Sequence, residues 1–251
     1  MKNMKKMPRK AILDGDIIKY HTAFWAEANN PDYFPVKLDS LVEKWTPIGV
    51  SDVVIALSCE RKDNFRNKEW PNYKSNRKDS YIPEYIHDVY DFIVENYKCK
   101  LLPTLEADDI LGIYASKHTH VAVTLDKDLL GVPGWHLNPN KDKDVRYISN
   151  EEAYRFFCKQ WMMGDSVDNI PGLWRIGPKK ADKMLEEWDK KDWETNILSL
   201  YADLKYRIRD NCGLSDTDMA IAMARCVKIL TKKEYNLRTK KIKPWNPIGG
   251  S

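Results

Sequence analysis

The chain has 251 residues, a formal net charge of +4, and 43% hydrophobic and 11% aromatic residues, enough apolar material for a sizeable core. No apolar run approaches the roughly 20 residues that cross a bilayer, and Asp14 and Asp16 interrupt what would have to be a signal peptide's apolar core. Five widely spaced cysteines without a Cys-x-x-Cys pair argue for free thiols in a reducing cytoplasm, against a disulfide framework and against structural zinc.

Residues 11–18 read as a buried strand interrupted by Asp14 and Asp16, and residues 52–58 as a second strand. Residues 61–78 then hold seven Lys or Arg against two acids, a local net of +5. Apolar positions over residues 81–97 recur at helical spacing, which predicts an amphipathic helix. A short strand over 99–103 leads to Glu106, Asp108 and Asp109 at a helix start, and a strand over 120–125 ends beside Asp126 and Asp128. Ser149 and Glu152 form a capping box that opens a helix to about Met163. Next come Asp165 and Asp168, a turn punctuated by Gly172 and Gly177, and Pro178, which suits a first helical turn. Helices are predicted over about 180–189, 193–210 and 215–230; residues 228–243 carry seven Lys or Arg against Glu234, a net of +6. Strands alternating with helices imply an α/β fold with a mostly parallel central sheet flanked by helices and a helical last third.

In such sheets ligands bind beyond the carboxyl ends of the strands, and acids recur there: Asp14 and Asp16, Glu60, the Glu106 group, then Asp126 and Asp128. Asp165 and Asp168 would join them from the helical part. Two unit charges about 5 Å apart repel by roughly 3 kcal/mol at an effective dielectric of about 20, so such a cluster requires cations. Oxygen ligands without His or Cys favour Mg²⁺ or Mn²⁺. Two ions about 4 Å apart suit in-line phosphodiester hydrolysis. Each acid also has a plain structural reading: helix-dipole partners for Asp108 and Asp109, turn residues for Asp126 and Asp128, helix caps for Asp165 and Asp168. Either basic run could be a solvated face. The five histidines show no metal-ligand spacing, and Trp135 and Trp161 read as core.

Five motifs in order carry a resemblance. They are Phe65 and Arg66, six residues, then Tyr73, Lys74 and Arg77; Glu106, Asp108, Asp109 and Gly112; Thr124, Asp126 and Asp128; Gly164, Asp165 and Asp168; and the run from Gly172 to Ala181. Together they resemble the flap-endonuclease (5′-nuclease) superfamily, particularly the phage 5′–3′ exonucleases and the 5′-nuclease domain of bacterial DNA polymerases. The likeness covers residues 13 to about 244. Met223, Arg225 and Cys226, with Glu234, Asn236 and the segment 244–247, resemble the tail of short-tailed phage exonucleases.

The resemblance implies a PIN/5′-nuclease-like core over 1–163 with a basic arch or gateway at about 61–105, its helical part at 79–105. It implies a helical DNA-binding region over 164–251, with a helix–three-turn–helix at about 164–190, packed on the core as one compact unit. Asp14, Glu106 and Asp108 would hold a first Mg²⁺ (or Mn²⁺), and Asp126, Asp128, Asp165 and Asp168 a second. Asp16 and Asp109 would support them. Lys74 and Arg77 would stabilise and clamp the transferring phosphate. Arg66, Lys74, Arg77, Lys78, Gly172, Trp174, Ile176, Gly177, Lys179 and Lys180 would contact DNA, with K⁺ at the helix–three-turn–helix. The family's aspartate closing the second strand is replaced by Cys59, so Glu60 is expected to substitute for it.

The implied activity is a two-metal 5′–3′ exonuclease on double-stranded DNA with 5′ ends or flaps, and on RNA–DNA hybrids, working as a monomer in the cytoplasm, the host's if phage-encoded. Three alternatives stand beside it: a flap endonuclease of the same superfamily, a phosphatase of the haloacid-dehalogenase type built on Asp14 and Asp16, and a non-catalytic DNA-binding protein.

Overall fold

The computed structural model describes residues 6–77, 79–208 and 212–247. Its centre is a six-stranded sheet of β1 (Lys10–Asp14), β2 (Asp52–Leu57), β3 (Cys99–Leu101), β4 (Val121–Val123), β5 (Gly134–Leu137) and β6 (Arg146–Ile148), in the order β3-β2-β1-β4-β5-β6. All neighbours are parallel except the β5–β6 pair at the edge. Alternation sends Ala11, Leu13, Ile55, Leu57, Val121 and Val123 to one face. Ile12, Val54, Ala56 and Ala122 go to the other, as the period of two requires.

Helices α1 (Gly15–Ala28), α2 (Phe34–Trp45) and α4 (Ile86–Asn96) cover the first face, with the short α3 (Arg66–Glu69) between α2 and α4 in the chain. Helix α5 (Ala107–Ser116) covers the second, together with Ile229, Leu230 and Tyr235. A third apolar cluster joins α6 (Asn150–Met163), α7 (Pro178–Glu187), α8 (Trp193–Ala202) and α9 (Asp216–Val227) to Trp70 and Tyr73. Two-residue ribbons complete the fold: β7 (Gly164–Asp165) with β8 (Ile170–Pro171), and β9 (Tyr235–Asn236) with β10 (Lys241–Ile242).

Several boundaries depart from the sequence reading. The strand expected over 11–18 stops at Asp14, and Ile17 and Ile18 lie in α1. The switch is sterically tight: a Cβ on Gly15 would come within 2.4 Å of the Ala56 carbonyl oxygen, so glycine lets α1 start flush against β2. Helices α1 and α2 and strands β5 and β6 had no sequence prediction. Helix α8 ends at Ala202, well before residue 210. From Ile86 onward the expected arch is part of the layered body, because Ile86, Val89 and Ile93 are buried against α1 and α2 and β3 is a sheet strand. Residues 79–85 are what remains of it outside regular elements. Helix α6, assigned to the core side of a boundary at 163, contributes Phe157, Cys158, Trp161 and Met162 to the helical cluster.

Candidate active site

Asp14 is the last residue of β1, buried, and caps α1 by accepting from the Ile17 N–H at 3.1 Å. The Thr124 hydroxyl donates to its other oxygen at 2.7 Å and accepts from the Asp126 N–H at 3.0 Å, so one hydroxyl couples the ends of β1 and β4. Asp126 accepts from the Asp128 N–H at 2.8 Å. Glu106 is the N-cap of α5 and Asp108 lies in its first turn. Asp165 stands on the β7–β8 ribbon and Asp168 in its turn. These acids, with Asp16, Ser58, Lys74 and Arg77, line one cleft of about 550 Å³.

The basic motif reaches the same cleft. The Lys74 ammonium lies 2.5 Å from Glu106 and 3.6 Å from Asp168, and Arg77 pairs with Asp168. Tyr73 donates to Glu106 at 2.8 Å and lies 3.3 Å from Asp168. Lys74 has φ +52°, a strained conformation for a non-glycine residue. Arg61 secures it by donating to the Lys74 carbonyl and, at 3.1 Å, to that of Arg77.

Electrostatically the acids are unsettled. Burial, then the Asp16 charge, pushes Asp14 up to about 7; burial, then Asp126, pushes Asp128 up to about 7. Burial and Asp14 raise Asp108 well above the usual carboxylate range. Burial opposes ionisation of Glu106 too, but Lys74 and Arg66 outweigh it and hold that carboxyl low. One oxygen each of Asp108 and Asp128 is buried without a hydrogen-bond partner. Such oxygens are costly unless a donor or a cation meets them. Among the described residues no three His, Cys, Asp or Glu side chains are closed around a metal-sized centre. The oxygen-only donor set and the two orphaned oxygens nevertheless fit divalent cations of the hard class.

Five assignments are corrected. Glu60 does not line the cleft: its side chain is 71% exposed and pairs with Lys62 at 2.7 Å. Cys59 does not replace it, since burial and then Glu106 push its thiol up to about 11, and a thiol is a poor Mg²⁺ ligand. Ser58 occupies the strand end instead, bonding Asp16 and accepting from the Ala107 N–H at 2.8 Å. Asp109 is fully buried and accepts from Arg66 at 2.6 and 2.8 Å and from the Leu230 N–H at 3.0 Å, so it is a structural anchor. Arg66, 3% exposed, is the other half of that anchor and cannot reach DNA. Ile176 is buried in the helical cluster. Gly172 serves chain packing: a Cβ there would fall 1.8 Å from the Met163 carbonyl oxygen.

Of the other expected DNA contacts, Lys74 and Arg77 lie in the cleft, and Trp174, Gly177, Lys179 and Lys180 lie on the hairpin from the Gly172 turn into α7. Trp174 is 46% exposed, Gly177 and Lys179 are exposed, and the Lys180 ammonium sits 4.3 Å over the Tyr206 ring. A Cβ on Gly177 would meet nothing within 4 Å. Lys78 lies outside the described residues. Sequence reasoning missed Ser58, Tyr73 as a ligand positioner, and Arg61; the motif signal pointed to Tyr73, and nothing local distinguished Ser58 or Arg61. Glu60→Gln is accordingly expected to leave cleavage within about twofold of wild type in a kinetic assay, as for other exposed pairs.

The mainly parallel sheet flanked by helices matches the fold of a solved 5′-exonuclease, and relatives named 5′-3′ exonuclease support the 5′-nuclease superfamily. No family model matches the chain. It is 32% identical, over 76% of its length, to a DNA polymerase I of Rhizobium leguminosarum. It is 32% identical, over 62% of its length, to a 5′-3′ exonuclease of Buchnera aphidicola subsp. Schizaphis graminum. The chain spans only 20% of the former and 58% of the latter. The crystal structure of the T5 D15 protein co-crystallised with metal ions shares its fold, with a TM-score of 0.60 and 16% identity over 87% of this chain and 88% of that one.

Proposed function

We propose that the protein is a divalent-metal-dependent 5′–3′ nuclease that hydrolyses phosphodiesters at the 5′ ends of DNA. The observation that carries this reading is the convergence of eight carboxylates with Lys74 and Arg77 in one cleft. A site with that many acids is useless to a polyanion unless cations neutralise it. Asp14, Glu106 and Asp108 would hold one Mg²⁺, and Asp126, Asp128, Asp165 and Asp168 a second. Bound there, the ions supply Lewis acidity and charge neutralisation.

The chain's own groups do the rest. Thr124 fixes the Asp14 carboxylate, and Tyr73 orients Glu106. Lys74, held against Glu106, offers a point charge to the phosphate, and Arg77 offers a fork. Asp16 supports this arrangement through Ser58. Gly177, open to approach, and the N-terminus of α7 would grip the duplex backbone through free amides, with Lys179, Lys180 and Trp174 beside them and K⁺ at the turn.

The same reading extends to RNA paired with DNA, to a monomer, and to a phage-type enzyme of the cytoplasm. A flap endonuclease is the second reading. The short gateway, residues 79–85, favours a frayed 5′ end over a long threaded flap. Product analysis on 5′-labelled blunt and flapped duplexes in Mg²⁺ tests both: mononucleotides support the exonuclease, intact released flaps the endonuclease. Turnover of small phosphomonoesters alone would overturn both. Changing Lys179 and Lys180 together to Ala should weaken duplex binding and reduce its log–log salt slope by about 1.8, as for two lost phosphate contacts. An unchanged slope would remove the hairpin from the interface.

A further inference from the structure

A second cavity, of about 440 Å³, lies at the opposite end of α6 from the acidic cleft. The N-terminal turn of α6 borders it, whereas the C-terminal end of the same helix delivers Gly164 and Asp165 to the cleft. The cavity takes its lining from the first half of α6, as far as Phe157, and the second half runs on to the cleft.

The wall of this cavity is charged in an unbalanced way. Lys190, Lys228, Lys232 and Lys233 line it, against Glu151 and Glu234. Lys190 is already matched by Glu151 at 3.1 Å. Lys228 is different, because its side chain is only 13% exposed. Among the described residues, the one carboxylate oxygen within 4 Å of its ammonium belongs to Glu234, at 3.9 Å, beyond hydrogen-bond length. The Phe157 ring lies 4.8 Å away to the centroid, and the Cys158 thiol and Glu194 carboxylate also act on it from a greater distance. The second oxygen of Glu234 is engaged by the Thr231 N–H and hydroxyl, at 2.9 and 2.5 Å. Burial accordingly pulls the Lys228 ammonium below its usual range despite the Glu234 charge.

A mostly enclosed ammonium whose nearest carboxylate stands at 3.9 Å keeps donors free for an anion in the cavity. Two further groups border the cavity. The α6 capping box uses the amides of Ser149 and Glu152, which leaves those of Asn150 and Glu151 at the positive end of a long helix, where anions bind well. Four ammonium groups against two carboxylates leave an excess of two positive charges, the complement of one phosphate dianion. The volume exceeds what bare phosphate fills and lies in the range of small-molecule sites, with Tyr154 and Phe157 supplying an apolar wall.

We propose that this cavity is a binding site for a small phosphate monoester of nucleotide size, with the phosphate on Lys228 and the first turn of α6, and Lys232 and Lys233 at the rim. It is separate from the acidic cleft and independent of the reading of that cleft as a nuclease. Titration calorimetry of the full chain with deoxyadenosine monophosphate, in EDTA so that the carboxylates of the cleft repel the ligand, tests it. Saturable binding is expected, with inorganic phosphate competing more weakly and deoxyadenosine not at all. Lys228→Met, which keeps the apolar stem, should weaken binding at least about tenfold, as expected for a lost charge-assisted contact. Changing the rim residues Lys232 and Lys233 together to Ser should weaken it independently of any folding effect at Lys228, with melting curves as the check. Lys74→Ala, in the cleft, should leave binding unchanged. Wild-type affinity in Lys228→Met and in the rim variant, loss of binding in Lys74→Ala, equal binding of deoxyadenosine, or inorganic phosphate binding as tightly as the nucleotide would each overturn the proposal.

Discussion

Asp108→Asn should lose cleavage by on the order of a thousandfold, the equivalent of about 4 kcal/mol of transition-state stabilisation, while the metal-free protein becomes more stable. Both halves follow from one position. Asp108 is half-buried in the first turn of α5, with one fully buried oxygen lacking a partner, and burial, then Asp14, raises its carboxyl. An amide there removes a charge that the metal-free fold must hold unneutralised. The sign of the pH dependence is fixed by the same shifts. Asp14 and Asp128 are raised to about 7, above an unfolded value of about 3.9. Their contribution to stability is therefore fully present below about pH 4 and lost as pH rises through about 7. In EDTA, the wild-type melting temperature should fall between pH 5 and pH 8. Mg²⁺ should restore it at the upper end, and Asp108→Asn should flatten the profile. A variant that kept its activity, or melted lower than wild type without metal, would mean that the cluster is not a cation seat.

The second large effect concerns the anchor beneath the site. Arg66→Met leaves Asp109 buried and uncompensated, and breaking a buried pair in this way costs about 3–5 kcal/mol. For a chain of this size that lowers the melting temperature by about 10 °C. Asp109→Asn in the same molecule should recover part of the loss, because the two groups share a bidentate contact and their effects are non-additive. Duplex binding per folded molecule should keep its salt slope, since the guanidinium also bonds the carbonyls of Cys226 and Lys228 and does not face solvent. A flattened slope in a normally folded Arg66→Met protein would return this arginine to the DNA interface.

What was legible in the sequence is what local chemistry encodes. The Ser149–Glu152 box marked the start of α6, because a cap is a short-range interaction. Acids after apolar runs marked the open edge of the sheet, because parallel strands end together. What failed were properties set by distant partners. Arg66 and Asp109 read as functional charges because a buried ion pair carries no local signature; their partners lie up to 162 residues away. Glu60 lies two residues past Ser58 and three past the end of β2, where strand alternation no longer fixes which side a residue faces. Ile17 and Ile18 extended an apolar run that could be strand or helix, and only the space beside Gly15 decides it. Strands β5 and β6 are four and three residues long, too short for an alternating pattern to stand out.

The anchor has a consequence for the order in which the molecule can be made. Arg66 takes its remaining acceptors from Cys226 and Lys228, and Asp109 takes a donor from Leu230. A ribosome building this chain releases the sheet and α5 long before those three backbone groups exist. Until residue 230 emerges, the helix carrying Glu106 and Asp108 rests on an incomplete support, and closing so long a loop is an entropic step that comes late. Chains arrested before that point should retain the strands yet lack catalytic competence, so that cutting activity begins only once residue 230 has emerged.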